Sequence, residues 1–423
     1  MNKENADHLR QLRRYAALLT SSLVATIVMW LLFHTLAPAT TPVAHAESAT
    51  MHQQWGREGG QRSDGGGDSN DGQIRWEGVL LDAPDSGFVG AWVIQFTNLT
   101  TGTVTVDAVT RVTHFGDPPA PVGIWIKAEG VLQPDGSLLA EKIEPEEFED
   151  GQVVVRFAAP PTEDELATFA NDFHLNLFST LLATGDIYLF TTDDDEQVTV
   201  ATLLADARVR WAELNYVNGI PRYPEGDPYR SWEWGGPDDS GYVNQNAYAQ
   251  VNLAAVHTHY TGAGVIVAVL DTGVDLDHPA LRDHLLPGRD VVADDAIPMD
   301  EGPGIGQGHG THVAGIIAAL APGSQLLPVR VLDANGRGNT FLLAYAVEWA
   351  TAQGADVINL SLGADFDSAV LSDTLTAAQD AGVIVVAAVG NDNHSAPQFP
   401  AFHPAVLGVT AVDGATPSPL SSV

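Results

Sequence analysis

Three polar residues stand where an apolar run stops or starts. Asp271 closes "VIVAVLD", His309 opens "HGTHVAGIIAAL", and Asn391 ends "VIVVAAVGN". Each type has a chemical use. A carboxylate can pin one nitrogen of an imidazole and leave the other to take a proton from a nucleophile. A neutral amide can donate to a developing oxyanion without adding charge. Each residue alone also has a plainer reading. Asp and Asn are common turn formers after strands. His309 and His312, three apart, raise metal binding or core packing as alternatives. Zinc would need a third and fourth ligand, and His278 and His284 have no obvious geometric claim.

The surrounding elements give these residues a shared address. Past Gly264, the apolar strands "VIVAVL", "LLPVRVL", "VINLSL" and "VIVVAAV" alternate with "HVAGIIAAL", "TFLLAYAVEWATAQG" and "SAVLSDTLTAAQDAG". Buried strands alternating with helices predict a doubly wound parallel α/β sheet over 246–423. Ligands on such sheets bind at the carboxyl ends of the strands, where Asp271 and Asn391 fall. The helix opened by His309 should bury Val313, Ile316, Ile317 and Leu320, with His312 as a packing residue. Glycines 308, 310 and 315 allow close backbone approach there. Gly354 and Gly382 sit at helix C-cap positions.

Upstream the texture changes three times. Residues 152–218 read as β-α-β-β-α-β, a ferredoxin-like α+β unit. Its first helix carries Thr162 and Glu165 at capping-box spacing, with Leu166, Phe169, Ala170 and Phe173 on one face. Residues 74–146 are short alternating strands broken by turn clusters, predicting a small all-β antiparallel barrel. It resembles a domain of unknown function common in exported bacterial proteins and reads as a spacer or adhesion module. Residues 47–73 form a Gly-rich linker and 219–245 an exposed connector. At the N-terminus, Lys3, Arg10, Arg13 and Arg14 precede a long apolar run and "VAHAES". That order marks 1–46 as an export signal cleaved after Ala46, the alternative being a retained membrane anchor.

Composition narrows the classes. The chain has 54 acidic and 19 basic residues, a formal charge of −35, which disfavours nucleic acid and anionic membrane as partners. It has no cysteine, so disulfides, thiolate zinc sites and a cysteine nucleophile are excluded.

Four motifs in order, "VAVLDTGVDLDHPAL", "GHGTHVAG", "INLSLG" and "AAVGN", resemble the subtilisin-like serine proteases, or subtilases, over roughly 250–423. The resemblance implies an acyl-transfer endopeptidase in which Asp271 orients the ring, His309 is general base and Asn391 completes the oxyanion hole. It implies that Gly336, Arg337 and Gly338 form one edge pairing with an extended polypeptide substrate. Ser361, Leu362 and Gly363 form the other edge and a pocket wall. Arg337 would favour acidic side chains at an outer subsite. Residues 152–218 resemble the family's propeptide, an intramolecular inhibitor, with "AELNYV" near its usual ending and Leu214 in place of proline. Maturation would then fall within 219–245. The resemblance further implies a secreted monomer that requires no cofactor.

Two departures stand out. Ala280 follows His278-Pro279 where an acidic calcium ligand is usual, and "IIAALAPGS" lacks the family's inserted loop. The strong calcium site is therefore expected to be missing, leaving only weak sites on the acidic surface. The family's nucleophile lies in Gly-Thr-Ser-Met-Ala, yet after Asn391 only Ser395, Ser418, Ser421 and Ser422 occur, none in that context. The expectation is a sequence truncated before its serine, and so inactive as it stands, rather than a degenerate enzyme. Two rivals compete. Asp271-Thr272-Gly273 with Asp239-Ser240-Gly241 matches the paired triplets of aspartic proteases but leaves "GHGTHVAG" unexplained. The other is a secreted, catalytically silent binding protein.

Overall fold

The computed structural model describes residues 73–96, 100–115, 118–180, 185–220, 246–364, 366–391, 397–413 and 416–417. The export segment, the linker up to residue 72, the connector from 221 to 245 and the four late serines lie outside them. No helix among the described residues is long and apolar enough to cross a membrane.

The first strands are β1 (Gln73–Asp82), β2 (Gly90–Gln95), β3 (Thr101–Val106), β4 (Arg111–Val112), β5 (Trp125–Leu132) and β6 (Leu138–Pro145). Alternate residues point inward. Trp92 and Ile94, Val104 and Val106, and Ile126 and Ala128 are all buried, the period of two that a pleated strand imposes. The sequence predicts purely antiparallel pairing, and the structure corrects this. β3 and β6 meet in parallel, Val104 opposite Leu138, and close the order β3-β2-β1-β5-β6 into a ring. The reason is parity. Five strands with four antiparallel contacts must close on a parallel one.

A β-α-β-β-α-β unit follows: β7 (Phe148–Phe157), α1 (Glu163–Asp172), β8 (Leu175–Thr180), β9 (Ile187–Thr192), α2 (Glu196–Leu203) and β10 (Val209–Gly219). Its strands lie in the order β10-β7-β9-β8. Thr162 caps α1, and the Glu165 carboxylate accepts the Thr162 N–H at 2.8 Å. The sheet is covered on both faces there, so the consecutive residues Val153, Val154 and Val155 of β7 are all buried. Val153, Val155 and Phe157 join Phe169, Val200 and Leu203 of the two helices. Val154 faces the other way with Ile187 and Leu189, into the core of the larger domain.

That larger domain contains α3 (Asn246–Gln250), α4 (Leu253–His257), β11 (Ile266–Asp271), β12 (Arg289–Asp290), α5 (His309–Leu320), β13 (Gln325–Arg330) and β14 (Arg337–Asn339). It continues with α6 (Thr340–Ala352), β15 (Val357–Leu360), α7 (Ala369–Asp380), β16 (Ile384–Ala388) and β17 (Val406–Val409). The main sheet runs β12-β13-β11-β15-β16-β17, and every contact in it is parallel. On β11, Val267 and Val269 pack with Ala314, Ile317 and Ala318 of α5. Ala268 and Leu270 pack with Phe341, Leu343 and Val347 of α6. Helices thus cover both faces.

One expected face differs. Ile317 and Leu320 of α5 are buried, but Val313 and Ile316 are only half-buried, and Gly310, Ala314, Gly315 and Ala318 take the inner positions. Small residues let α5 approach β11 closely; a Cβ on Gly310 would stand 2.1 Å from the Gly273 carbonyl oxygen. Gly354 and Gly382, just past α6 and α7, have φ of +83° and +86°, the left-handed conformation that ends a helix.

The two units share a sheet. β10 pairs antiparallel with β14, Asn218 opposite Gly338, so the smaller sheet gains a strand from the larger domain. Gly219 therefore belongs to β10 rather than to the connector.

Candidate active site

β11 ends on Asp271, which is fully buried, and α5 begins on His309, 6% exposed. Nδ1 of His309 lies 2.6 Å from Oδ1 of Asp271. The Thr272 N–H donates to that same oxygen at 2.7 Å. The contact favours the tautomer with its proton on Nδ1 and a basic lone pair on Nε2. Burial disfavours the imidazolium, but the charge and hydrogen bond of Asp271, with Asp300 behind it, outweigh this. They raise His309 above an ordinary histidine. His312 is half-buried within α5 and moves the other way, lowered by burial and then by His309. His278 and His284 turn to the Ala280 N–H and the Ser324 carbonyl. The two histidines of "GHGTH" are thus unlike, and His309 is the one held against the Asp271 carboxylate.

Sequence reasoning missed Asp300. It lies in the loop "PMDEGPGIG", nine residues before His309, and no spacing rule marks it among so many acids. Its Oδ1 accepts the Gly308 N–H at 2.9 Å and the Thr272 hydroxyl at 3.2 Å. Oδ2 accepts the Thr311 N–H at 3.1 Å and the Thr311 hydroxyl at 2.6 Å. Burial raises this carboxyl above the usual range, and those donors partly offset the effect.

Asn391 stands beyond β16, half-buried and preceded by Gly390 at φ +100°. Because β16 neighbours β15 and β15 neighbours β11, it shares the carboxyl edge of the sheet with Asp271. At the same edge, Leu362 is fully buried and Ser361 accepts the Asn359 side-chain N–H at 3.0 Å.

Between the two predicted edges runs an extended strand of the chain itself. The Gly219 N–H donates to the Gly363 carbonyl at 3.1 Å, and the Gly363 N–H returns the bond at 2.9 Å. The Ile220 N–H donates to the Gly336 carbonyl at 3.0 Å. Gly336, at φ +73°, has no room for a side chain, since a Cβ would meet Ile220 at 2.6 Å. Arg337 is exposed and pairs with Glu147. The structure therefore brings 336–338 and 361–363 to opposite sides of one segment, residues 217–220.

The comparisons agree with this geometry. The model of the subtilase family matches residues 262–423. A thermophilic serine proteinase of Bacillus sp. (strain AK1) is 36% identical over 227 residues, covering 51% of this chain and 53% of that protein. Thermitase of Thermoactinomyces vulgaris is 38% identical over 162 residues, covering 36% of this chain and 56% of its own. The crystal structure of fervidolysin from Fervidobacterium pennivorans, a keratinolytic enzyme related to subtilisin, superposes with a TM-score of 0.50 at 25% identity. That match covers 63% of this chain and 44% of the other. The chain thus spans little more than half the length of these two curated relatives. The residues that match the subtilase family, 262–423, are those that carry Asp271, His309 and Asn391.

Proposed function

We propose that the 246–423 domain is the peptidase part of a secreted, monomeric serine endopeptidase of the subtilisin type that cleaves extended polypeptides. The observation that carries the reading is the 2.6 Å contact between His309 and Asp271 at the edge where a strand lies between two backbone rims. The reading requires a nucleophilic serine within hydrogen-bond reach of His309 Nε2. In the intact protein that serine attacks the peptide carbonyl. His309 takes its proton and returns it to the leaving amine, while Asp271 holds the ring. Asn391 donates to the oxyanion. Arg337 attracts an acidic side chain at an outer subsite, a reading supported by its pairing with Glu147.

Residues 152–218 act as the propeptide and inhibitor, a role supported by the seating of 217–220 along the rims. Residues 1–46 direct export or anchor the protein, and cleavage within 219–245 releases the enzyme. Calcium binds only at weak sites, and the chemistry requires no cofactor. Nucleic acid is no partner of so acidic a chain.

The test is the gene beyond the codon for Val423. Gly-Thr-Ser-Met-Ala at a helix start, with fluorophosphonate labelling of the full product that His309→Ala abolishes, supports the enzyme. An in-frame stop there would make the protein a catalytically silent peptide binder instead.

A further inference from the structure

The start of α5 has an unusual debt. Its N-cap position is Gly308, at φ +87°, which has no side chain to offer the orphan N–H groups of the first turn. By contrast, α6 and α7 carry their own caps, Asn339 and Ser368. For α5 the acceptor comes from Asp300.

We propose that Asp300 is a positioning residue for the Asp271–His309 pair, locking the strand end and the helix start into one frame. The bonds run to both sides. Oδ1 binds Thr272, the residue after Asp271, and Gly308, the residue before His309. Oδ2 binds Thr311 twice, two residues after His309. The two threonines extend the frame. Thr272 Oγ1 accepts the Gly310 N–H at 3.0 Å, and Thr311 Oγ1 accepts the Asp275 N–H at 2.9 Å. His309 is thus bracketed by Gly308, Gly310 and Thr311, all tied to a segment that begins at Asp271. A half-buried carboxylate that accepts four hydrogen bonds resists displacement, because freeing it strands several polar groups at once.

A simple helix cap would steady α5 without fixing the ring against Asp271. The geometry predicts more: the His309–Asp271 bond depends on Asp300. The role rests on the catalytic reading, but the bond itself can be measured without turnover.

The experiment uses the 423-residue chain, labelled with ¹⁵N-histidine and followed by NMR. Among the described residues, the charged or titratable groups that reach His309 include Asp271, Asp300 and His312. In the parent chain, the Nδ1 proton of His309 should give a low-field signal protected from water. Asp300→Asn should lower the His309 midpoint by about half a pH unit and speed exchange of that proton about tenfold. Thr272→Val keeps the side chain's shape and removes the two bonds of the Thr272 hydroxyl, to Asp300 and from Gly310. It should move both readings in the same direction by less, which keeps the test alive if Asp300→Asn does not fold. An unchanged midpoint and exchange rate in either folded variant, with only a lower melting temperature, would reduce Asp300 to a cap and overturn the proposal. Failure of the catalytic reading shows elsewhere, as an intact gene product that no fluorophosphonate labels.

Discussion

The helix that carries His309 and the helices that follow the two rims are completed in different ways. α5 is capped by Asp300, from its own domain. α6 and α7 have caps of their own but also take a second one from the smaller unit. Asn215 Oδ1 accepts the Phe341 N–H at 3.1 Å. The Glu213 carboxylate accepts the N–H groups of Ala369 and Val370 at 2.8 and 3.0 Å, and the Ser368 hydroxyl at 2.9 Å. Glu213 and Asn215 are alternate residues of β10 and so share a face. An anion at a helix N-terminus is also favoured by the helix dipole. The difference teaches where autonomy lies. The Asp271–His309 pair is built within its domain, whereas the two helix starts beyond the rims are finished from outside.

Breaking the internal side should have the largest effect and leave the external side alone. In the intact gene product, His309→Ala should cost about a millionfold in kcat, the loss measured for subtilisin itself. Asn391→Ala should cost about 10²–10³, again the subtilisin value, with little change in KM. Neither should alter the docking of the smaller unit, read as unchanged amide protection at Ala369 and Val370. A loss of protection in either variant would show that the two sides are coupled after all.

Breaking the external side should do the reverse. Glu213→Ala removes the acceptor of three buried hydrogen bonds, which weakens docking by about ten- to a hundredfold. The Ala369 and Val370 amides should then exchange faster, while the His309 Nδ1 proton stays as it was. Glu213→Gln keeps an acceptor and should fall between. If Glu213→Ala disturbed the His309 signal, the autonomy of the pair would be refuted.

Those two sides were also unequally legible in the sequence. Asp271, His309 and Asn391 could be found because each ends or begins an apolar run, and run boundaries on a parallel sheet are functional edges. The capping box at Thr162 and the two post-helical glycines were equally local and equally readable. What escaped depended on contacts between distant segments. Asp300, Glu213 and Asn215 reach helix N-termini 8 to 157 residues away. The parallel closure of the barrel follows from strand count in the ring, which needed β4 to lie outside it. The inner face of α5 was misread because period alone favours large side chains, whereas close approach to β11 selects glycine and alanine.

Acidity should tune the external side through Glu213 and Asp367. Burial pushes the Glu213 carboxyl up to about 7 against its donated hydrogen bonds, with Asp367 adding to the rise. Burial also pushes Asp367 up to about 6. Both groups therefore hold protons more readily when docked than when free, and docking takes protons up. Its strength is greatest below the ordinary carboxyl range and is lost as pH rises through about 6 and then about 7. Each proton contributes at most about a tenfold change per pH unit. Denaturant midpoints of the 423-residue chain, followed through Trp211 at the junction with Asp373, should fall from pH 5 to 8. Glu213→Gln should flatten the upper part of that curve; an identical slope would assign the pH dependence elsewhere.

The smallest effect should come from the end of β10, where two asparagines of one strand have opposite fates. Asn215 is satisfied: its Nδ2 donates to Gln152 at 2.8 Å while its Oδ1 takes the Phe341 N–H. Asn218, opposite Gly338, is 5% exposed, and neither of its amide atoms has a hydrogen-bond partner among the described residues. An unsatisfied buried amide costs about 1–3 kcal/mol. Its surroundings are tight, since a Cβ on Gly338 would lie 3.0 Å from Leu332 and 3.1 Å from Asn218 Oδ1. The segment between the rims is therefore held by its backbone and weakened by this side chain. Asn218→Leu should slow amide exchange across 217–219 and 337–339 by several-fold to about tenfold, the low end of that cost. Asn218→Asp buries a charge and should speed it. Faster exchange in the leucine variant would mean that the site takes a polar group. Slower exchange would make Asn218 the feature that keeps the segment displaceable, and a peptide with an apolar residue at that position would compete for the rims on better terms.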